Sequence, residues 1–230
     1  MHDFIASSAY FGVFVSLAAY FMGMALRKKI RLSIFNPLLF SIILVIALLE
    51  ILKIDYAAYN QSAKLLSSLL TPATICLAVP LYEQLSLLKK HKKAILLGVL
   101  SGVITSLVCV LALSLLFGLD HASYVTLLPK SITTAIGMGV SEELGGYVSI
   151  TVAVILLTGI LGNIIAQSFC RIFGITEPVA RGVAIGTSSH AIGTTRAMEL
   201  GEIEGAMSSL SIVIAGVLTV AGASVFSYFL

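Results

Sequence analysis

The sequence predicts an all-α integral membrane protein with about six transmembrane helices. Of its 230 residues, 58% are hydrophobic and only 11% are charged, and the mean hydropathy is +1.06. A typical soluble domain has about 25% charged residues, and a domain of this size leaves too much surface in water to hide such an apolar excess. The second observation is a series of uncharged stretches of the length that crosses a bilayer. Together they exclude a cytosolic enzyme, a nucleic-acid-binding protein and a disordered regulator.

Six stretches are expected to cross the membrane. Four of them are long and uncharged: residues 4–26, 94–119, 144–170 and 205–230. Two more run up to the glutamate that follows them: residues 32–49 before Glu50 and residues 65–82 before Glu83. The first stretch has no basic segment before it, so we expect a permanent span and not a cleaved signal peptide. Little length remains outside the spans, which predicts a single transmembrane domain over residues 1–230.

Basic residues set the expected orientation in the membrane. One cluster lies within residues 27–31 and another within residues 89–93. Two crossings separate these clusters, so both face the cytoplasm under the positive-inside rule. The weakly basic connection at residues 171–181 is expected on the same side. The N-terminus is therefore expected outside.

Two segments do not fit this topology as ordinary loops. The orientation makes residues 127–145 begin and end outside, and it makes residues 181–201 begin and end inside. Both segments are apolar and rich in small residues, which predicts re-entrant segments that enter the membrane from opposite faces. The alternative, that both are complete helices interrupted by glycine, stays open and would change the topology.

A short repeat links the two segments. Ala-Ile-Gly at residues 135–137 and Glu-Leu-Gly at residues 143–145 both recur 56 residues later. Each copy precedes a long apolar span, which predicts repeat units at about 127–171 and 183–230. Units that enter from opposite faces form an inverted repeat, an arrangement typical of many secondary transporters.

The two segments predict a site for a small anion, most simply a carboxylate. Breaks in membrane helices expose N–H groups and a dipole that attract anions. The candidate binding residues are cations, hydroxyls and one imidazole: Lys130, Ser131, Thr133, Thr134, Ser188, Ser189, His190, Thr194 and Arg196. His190 and Glu199 are candidate coupling residues, because ionisable groups at membrane depth are expected to be functional. Pro72 and Pro80 are expected to line the same cavity.

Structural alternatives stay open for these residues. Single Ser and Thr side chains often bond to their own helix carbonyls in membranes, and Lys130 is also placed to snorkel to the outer boundary. A structural hydrogen bond would explain His190 equally. Arg196 and Glu199 are three residues apart and are expected to neutralise each other on one helix face. The span with two prolines is equally consistent with a kinked packing helix.

The sequence predicts neither an enzyme nor a cofactor-binding protein. Its three cysteines match no metal-ligand or redox spacing, and no P-loop, zinc-protease or nucleophile-elbow pattern occurs in a suitable context. We therefore expect no catalytic residue, metal or cofactor. Small-residue surfaces at residues 98–102 and 216–222 suit helix contacts, and homo-oligomerisation stays open.

Several strings resemble the LrgB/CidB family of bacterial membrane proteins, which includes inner-membrane proteins of the YohK type. They are NPLL at 36–39, PA at 72–73, PLYEQ at 80–84, LLPKSITT at 127–134, GILG at 159–162 and GTSSHAIGTTRAMELGEIEGAMSSL at 186–210. The resemblance covers nearly the whole chain. It implies a multi-pass protein of the bacterial cytoplasmic membrane.

The resemblance implies two different functions. The family is similar to the large domain of the plastidal glycolate/glycerate translocator, and relatives are associated with pyruvate and other short monocarboxylates, which implies a secondary transporter. It also resembles the larger partner of a small holin-like protein of the LrgA/CidA type, which implies an antiholin-like regulator of murein hydrolase activity and autolysis. The residues favour the transporter, because a lesion formed by assembly needs no buried cationic, hydroxyl-rich site.

Overall fold

The described part of the chain is helical throughout. The computed structural model describes residues 10–30, 37–69, 72, 82 and 85–230, and within them it contains ten α-helices and one short 3-10 helix. The chain divides into two compact units, residues 1–76 and 77–230. The predicted all-α class is confirmed for the described residues.

The described residues of the first unit include the helices α1 (Phe11–Ile30), α2 (Pro37–Leu52), α3 (Tyr56–Ser62) and α4 (Lys64–Ser68). Polar contacts join α1 to α3. The Gly12 amide donates to Ser62 Oγ over 2.9 Å, and Ser16 Oγ lies 2.8 Å from the Tyr59 hydroxyl. These bonds satisfy polar groups where the two helices meet.

From residue 85 onward, the second unit contains six α-helices and ends in a 3-10 helix. They are α5 (Leu85–Phe117), α6 (His121–Leu127), α7 (Thr134–Glu143), α8 (Val148–Ile172), α9 (Pro178–Leu200), α10 (Glu202–Phe226) and the 3-10 helix Ser227–Phe229. Helix α9 packs along α10 and α8, and α5 contacts both α9 and α10. The core of this unit lies among these helices and includes Tyr124, whose hydroxyl donates to the Phe226 carbonyl oxygen over 2.9 Å.

Among the described residues, four helices are long and apolar enough to cross a membrane. They are Phe11–Lys29, Lys89–Phe117, Val148–Ile172 and Glu202–Phe229, and they correspond to the four long uncharged stretches of the sequence. The expected span at residues 32–49 appears as the shorter apolar helix Pro37–Leu52. Most of the expected span at residues 65–82 lies outside the described residues. A multi-pass membrane protein is confirmed, and the number six remains a prediction.

The outer surface of α8 is apolar. Leu157, Leu161 and Ile165 are each more than half exposed, and their four-residue spacing places them on one face of the helix. An exposed apolar stripe of this length is unfavourable in water. The stripe is suited to contact with lipid, and a helix satisfies its own backbone hydrogen bonds inside the bilayer.

Two helices of the second unit begin at acidic caps. Asp120 Oδ1 accepts a hydrogen bond from the Ser123 amide over 3.1 Å at the start of α6. The Ser123 hydrogen bonds hold the pKa of Asp120 below its usual value. Glu177 Oε2 accepts from the Ala180 amide over 2.9 Å at the start of α9. Both carboxylates satisfy amides that a helix start leaves without a partner.

Glycines bring α9 and α10 close together. A Cβ at Gly182 would lie 2.5 Å from the Glu204 carbonyl oxygen and 2.7 Å from Met207 Cβ. A Cβ at Gly186 would overlap the backbone of Ser208. The two helices therefore pack at a separation that only glycine allows at these positions.

The small-residue surfaces noted in the sequence are used within the chain. Gly98 and Gly102 of α5 face Val183 and Thr187 of α9, and Gly222 of α10 faces Leu107 of α5. The expected helix contacts are present and are intramolecular. Homo-oligomerisation stays a prediction, and these glycines do not support it.

Candidate functional site

The first break in helical structure lies between α6 and α7. Residues 128–133 form turns there, and Thr133 is the N-cap of α7. Lys130 Nζ donates to Ser131 Oγ over 2.9 Å, and the buried Ser131 hydroxyl lies 3.4 Å from Ser106 Oγ on α5. Thr134 is the first residue of α7. The first break thus contains Lys130 and three hydroxyl side chains, of which Ser131 lies against α5.

The second break lies inside α9, at His190. This residue has φ 41° and ψ −143°, so the helix is interrupted there. A positive φ at a residue other than glycine costs about 1–3 kcal/mol and persists where surrounding contacts enforce it. The enforcing contact is a hydrogen bond of 3.0 Å from His190 Nε2 to the Ile155 carbonyl oxygen of α8. Because a carbonyl only accepts, Nε2 carries the proton.

Hydroxyl groups surround the His190 break. Ser188 Oγ lies 3.0 Å from Ser189 Oγ, and Thr194 Oγ1 donates to the His190 carbonyl oxygen over 3.0 Å. Thr194 Oγ1 also lies 2.7 Å from Ser208 Oγ on α10. Ser189, His190 and Thr194 are all buried, whereas Ser188 is exposed. Four of the predicted binding residues are therefore adjacent at this break.

Glycines of α8 make room for the break. A Cβ at Gly159 would lie 2.7 Å from Cε1 and 2.8 Å from Nε2 of His190. A Cβ at Gly162 would overlap the Ser189 side chain. The imidazole and the serine hydroxyl consequently occupy the space that a side chain on α8 would fill.

Arg196 lies in the last turns of α9 and contacts two side chains. Its Nη1 donates to Glu199 Oε2, and its Nη2 donates to Gln167 Oε1 of α8. The pairing expected from the three-residue spacing of Arg196 and Glu199 is present. Gln167 is an additional partner that the sequence alone did not indicate.

The two breaks are not joined by a direct bond. In the described part of the chain, no hydrogen bond or ion pair links Lys130 to the residues around His190. They are connected through buried packing instead: the Ile155 side chain packs against Gly137 of α7, while its carbonyl accepts from His190. Ile155 therefore contacts the helix after the first break and the residue at the second.

Helix α5 also contacts both breaks. Its Ser106 lies against Ser131, and its Gly102 lies against Thr187 of α9. Four helical residues advance by about 6 Å, so these two contacts are one turn apart on α5. The Thr187 hydroxyl is buried and has no hydrogen-bond partner among the described residues.

A hydroxyl network holds the elements around the first break. Thr151 Oγ1 of α8 lies 2.7 Å from Ser141 Oγ of α7 and 3.0 Å from the Thr126 carbonyl oxygen of α6. The Tyr147 amide donates to Thr126 Oγ1 over 2.7 Å. Thr126, Ser141 and Thr151 are essentially inaccessible to solvent. Buried networks of this kind fix a unique packing when they are fully bonded.

Several of these contact residues were not predicted from sequence. Asn163 and Gln167 carried a usable signal, since two amides four residues apart in an apolar span mark one polar helix face. Asn163 Nδ2 donates to the Ile192 carbonyl oxygen and to Thr195 Oγ1, each over 2.9 Å. Ile155 carried no signal, because its polar contribution is a backbone carbonyl.

The remaining site predictions are only partly covered. Pro72 is exposed, and Pro80 lies outside the described residues. Their role in lining a cavity stays a prediction. Within the described ranges, no group of three or more His, Cys, Asp or Glu residues is arranged to hold a metal ion.

Comparison with known proteins identifies relatives along nearly the whole chain. The profile of the LrgB-like family matches residues 16–229. The antiholin-like protein LrgB of Bacillus subtilis (strain 168) is 38% identical over 214 residues, covering 93% of each chain. The proteins of the same name from Bacillus mycoides (strain KBAB4) and Bacillus cereus (strain B4264) are each 37% identical over 212 residues, covering 92% of each chain. No solved structure matches.

Proposed function

This chain belongs to the LrgB-like family, and from this premise we propose that it serves the antiholin-like function for which its relatives are named, acting as a secondary transporter of small monocarboxylates. The relatives' name supports the antiholin-like function directly. The geometry of the two helix breaks supports the transporter activity. Glycolate, glycerate, pyruvate and lactate are the substrate types that we expect.

One observation carries the transport proposal. Two interrupted helices in the second unit are packed against the same residue, Ile155, and against adjacent turns of α5. Irregular backbone is tolerated at membrane depth where it lines a protein-enclosed or water-filled cavity. Interrupted helices of this kind form the substrate sites of many secondary transporters, with helix N-termini directed at anionic groups.

The lengths of the helices around the breaks support re-entrant segments. Helix α6 has seven residues and α7 has ten, which correspond to about 10 and 15 Å. The part of α9 before His190, residues 178–189, spans about 18 Å on the same basis. The hydrocarbon core of a bilayer is about 30 Å thick, so none of these pieces crosses it alone.

The order of helices in the two segments supports the repeat. Thr134 begins α7, and the residue 56 positions later is His190, where α9 is interrupted. Glu143 ends α7, and its counterpart Glu199 lies next to the last residue of α9. The two units thus share one order of elements: a short helix, a break, a half-helix and a long apolar span.

The residues at the two breaks have different roles in the proposed site. Lys130 supplies the cation that attracts a carboxylate, and hydroxyls supply donors to its oxygens: Ser131, Thr133, Thr134, Ser188, Ser189 and Thr194. His190 is a proton-coupling residue in this proposal. Arg196 is already bonded to Glu199 and Gln167, so its role is to control access, and Glu199 assists by holding it.

In a second candidate function, the antiholin-like role named for the relatives does not depend on transport. In this alternative the chain carries no substrate and regulates murein hydrolase activity and autolysis through a small LrgA/CidA-type membrane partner. The chain would lie in the bacterial cytoplasmic membrane with its N-terminus outside in both cases. The alternatives differ in whether the Lys130 region matters, since a regulator acting by partner contact does not use a buried anion site.

The test is counterflow of radiolabelled glycolate, pyruvate and lactate in proteoliposomes, with and without the small partner. Saturable exchange is expected in the wild-type protein and is expected to be lost in Lys130→Gln. Lys93→Gln is the matched control, because it removes the same charge from an exposed position of α5. Size-exclusion profiles establish that both variants fold.

Autolysis of cells that carry the same variants separates the two functions. Loss of the autolysis phenotype together with exchange in Lys130→Gln supports regulation through transport. A Lys130→Gln variant with normal autolysis and no exchange would assign regulation to partner contact. No exchange in the wild-type protein under either condition contradicts transport altogether.

A further inference from the structure

A cavity lies where α8 ends and α9 begins, and it belongs to neither helix break. Its volume is about 210 Å³, and the described residues that line it include two arginines and no carboxylate. Arg171 comes from the last turn of α8, Arg181 from the first turns of α9, and Thr176 from the connection between them. A surplus of positive charge in a concave site favours an anion. We call this site the α8–α9 cavity.

The structure holds one arginine of the cavity in place. Arg181 Nε donates to the Ile175 carbonyl oxygen over 2.8 Å, and its Nη1 lies 3.7 Å from Glu204 Oε1 of α10. Glu204 is buried, so it fixes the guanidinium against the wall of the cavity. Arg171 is exposed at the opening. The cavity thus contains one fixed guanidinium, which is paired with the Glu204 carboxylate, and one accessible cation, Arg171.

The size of the cavity limits the ligand. Its volume of about 210 Å³ is below the roughly 300 Å³ at which sites for drug-sized ligands begin. It exceeds several times the roughly 30 Å³ that one water molecule occupies. A carboxylate of three or so carbons fits this range, and a guanidinium binds a carboxylate through paired hydrogen bonds.

A row of residues on α8 runs from the cavity to the second break. Its members recur every four residues and therefore share one face: Gly159, Asn163, Gln167 and Arg171. From one end to the other, they contact His190, then Ile192 and Thr195, then Arg196, and finally the cavity. The row is about 18 Å long. It lies opposite the apolar stripe that faces lipid.

Gln167 connects the cavity to the rest of the row. Its side chain lines the cavity, and its Oε1 accepts from Arg196 Nη2. Arg196 in turn donates to Glu199. The Gln167–Arg196 contact between α8 and α9 therefore lies between the cavity and the hydroxyls near His190.

We propose that the α8–α9 cavity is an entry site, which binds a small carboxylate before it reaches the break at His190, and that the Gln167–Arg196 contact closes the path between them. This inference rests on the proposed transport function. It adds a second anion site to the same chain. The face on which it opens is the one where α8 ends, expected to be cytoplasmic.

Transport kinetics test the entry site through Arg171→Gln. The Michaelis constant for pyruvate presented at the face where α8 ends is expected to rise about tenfold, as for loss of one charge-assisted hydrogen bond. The maximal rate, and the Michaelis constant for pyruvate presented at the opposite face, are expected to stay within twofold of the wild-type values. Lys93→Gln removes the same charge outside the cavity and is the control.

Equilibrium binding tests the cavity without transport. Purified wild-type protein is expected to bind radiolabelled pyruvate at two sites, with one site lost in Arg171→Gln and the other lost in Lys130→Gln. Gln167→Glu is a second variant, because the introduced carboxylate repels an anion from the cavity and pairs with Arg196. It is expected to lower both binding at the cavity and the transport rate.

The outcomes distinguish the entry site from the proposed function. The entry-site proposal would be overturned if Arg171→Gln and Gln167→Glu gave the same transport kinetics and the same pyruvate binding as the control Lys93→Gln. The proposed transport function would not be affected by that result. Absence of exchange in the wild-type protein would overturn the transport function. The number of pyruvate molecules bound per chain would then show separately whether the cavity binds a carboxylate. Displacement of the bound label by inorganic phosphate at lower concentrations than unlabelled pyruvate requires would overturn the assignment to carboxylates.

Discussion

His190 Nε2 lies 3.0 Å from the carbonyl oxygen of Ile155, and this bond joins the break in α9 to the N-terminal half of α8. The ring reaches that carbonyl because α9 leaves helical geometry at His190. It also needs the absence of a side chain at Gly159, four residues further along α8. The break is therefore set by two helices together, which makes its geometry testable from the α8 side.

Gly159→Ala is expected to displace the His190 ring. The added methyl would lie 2.8 Å from Nε2, which is too close for the ring to keep its position. The nearest atoms belong to a side chain, which moves more easily than backbone, so we expect a folded protein with exchange lowered about tenfold or more. Counterflow in proteoliposomes measures the loss.

Gly139→Ala is the matched control for this substitution. It makes the same change in α7, where a Cβ would meet nothing within 4 Å. Its exchange rate should match that of the wild-type protein. Equal rates in Gly159→Ala and Gly139→Ala would contradict a role for the His190 position in transport.

His190→Gln tests proton coupling. Glutamine retains an N–H donor for the Ile155 carbonyl but cannot take up a proton in this pH range. We expect exchange at equal pH on both sides to persist, while uptake driven by a pH gradient is lost. Gradient-driven uptake that survives in His190→Gln would assign His190 a purely structural role.

Spacing along one helix was sufficient to predict part of the site. The Arg196–Glu199 pair follows from a three-residue separation on one helix face, and the structure contains it. The cluster of Ser188, Ser189 and His190 follows from adjacency in sequence. Such local relationships depend only on helix geometry.

Contacts between helices could not be predicted in the same way. Gln167 is 29 residues from Arg196, so their contact depends on how α8 and α9 pack and on their register. Ile155 contributes a backbone carbonyl, which every residue has. Likewise, the glycines of α5 suggested helix contacts, but only the structure identified Val183 and Thr187 of the same chain as their neighbours.

The hydroxyl pair of Thr194 and Ser208 is expected to stabilise the contact of α9 with α10. Both residues are buried, and their oxygens lie 2.7 Å apart. A double-mutant cycle of Thr194→Val and Ser208→Ala should give a coupling of about 0.6–1.7 kcal/mol, the range for such pairs in membranes. Reversible unfolding in mixed micelles measures it. Additive single effects would show that the two hydroxyls do not interact.

Gly182→Ala is expected to destabilise the fold, unlike Gly159→Ala. Its methyl would lie 2.5 Å from the Glu204 carbonyl oxygen of α10, and a backbone atom yields only if the helices separate. We expect a loss of about 1–3 kcal/mol in unfolding free energy, measured by the same unfolding assay, with Gly139→Ala again as the control. Stability equal to that of Gly139→Ala would mean that α9 and α10 can move apart at little cost. We expect Gly182→Ala to lose stability and Gly159→Ala to lose exchange while it stays stable. This pair of results would show that Gly182 allows α9 and α10 to pack together, whereas Gly159 positions the break at His190.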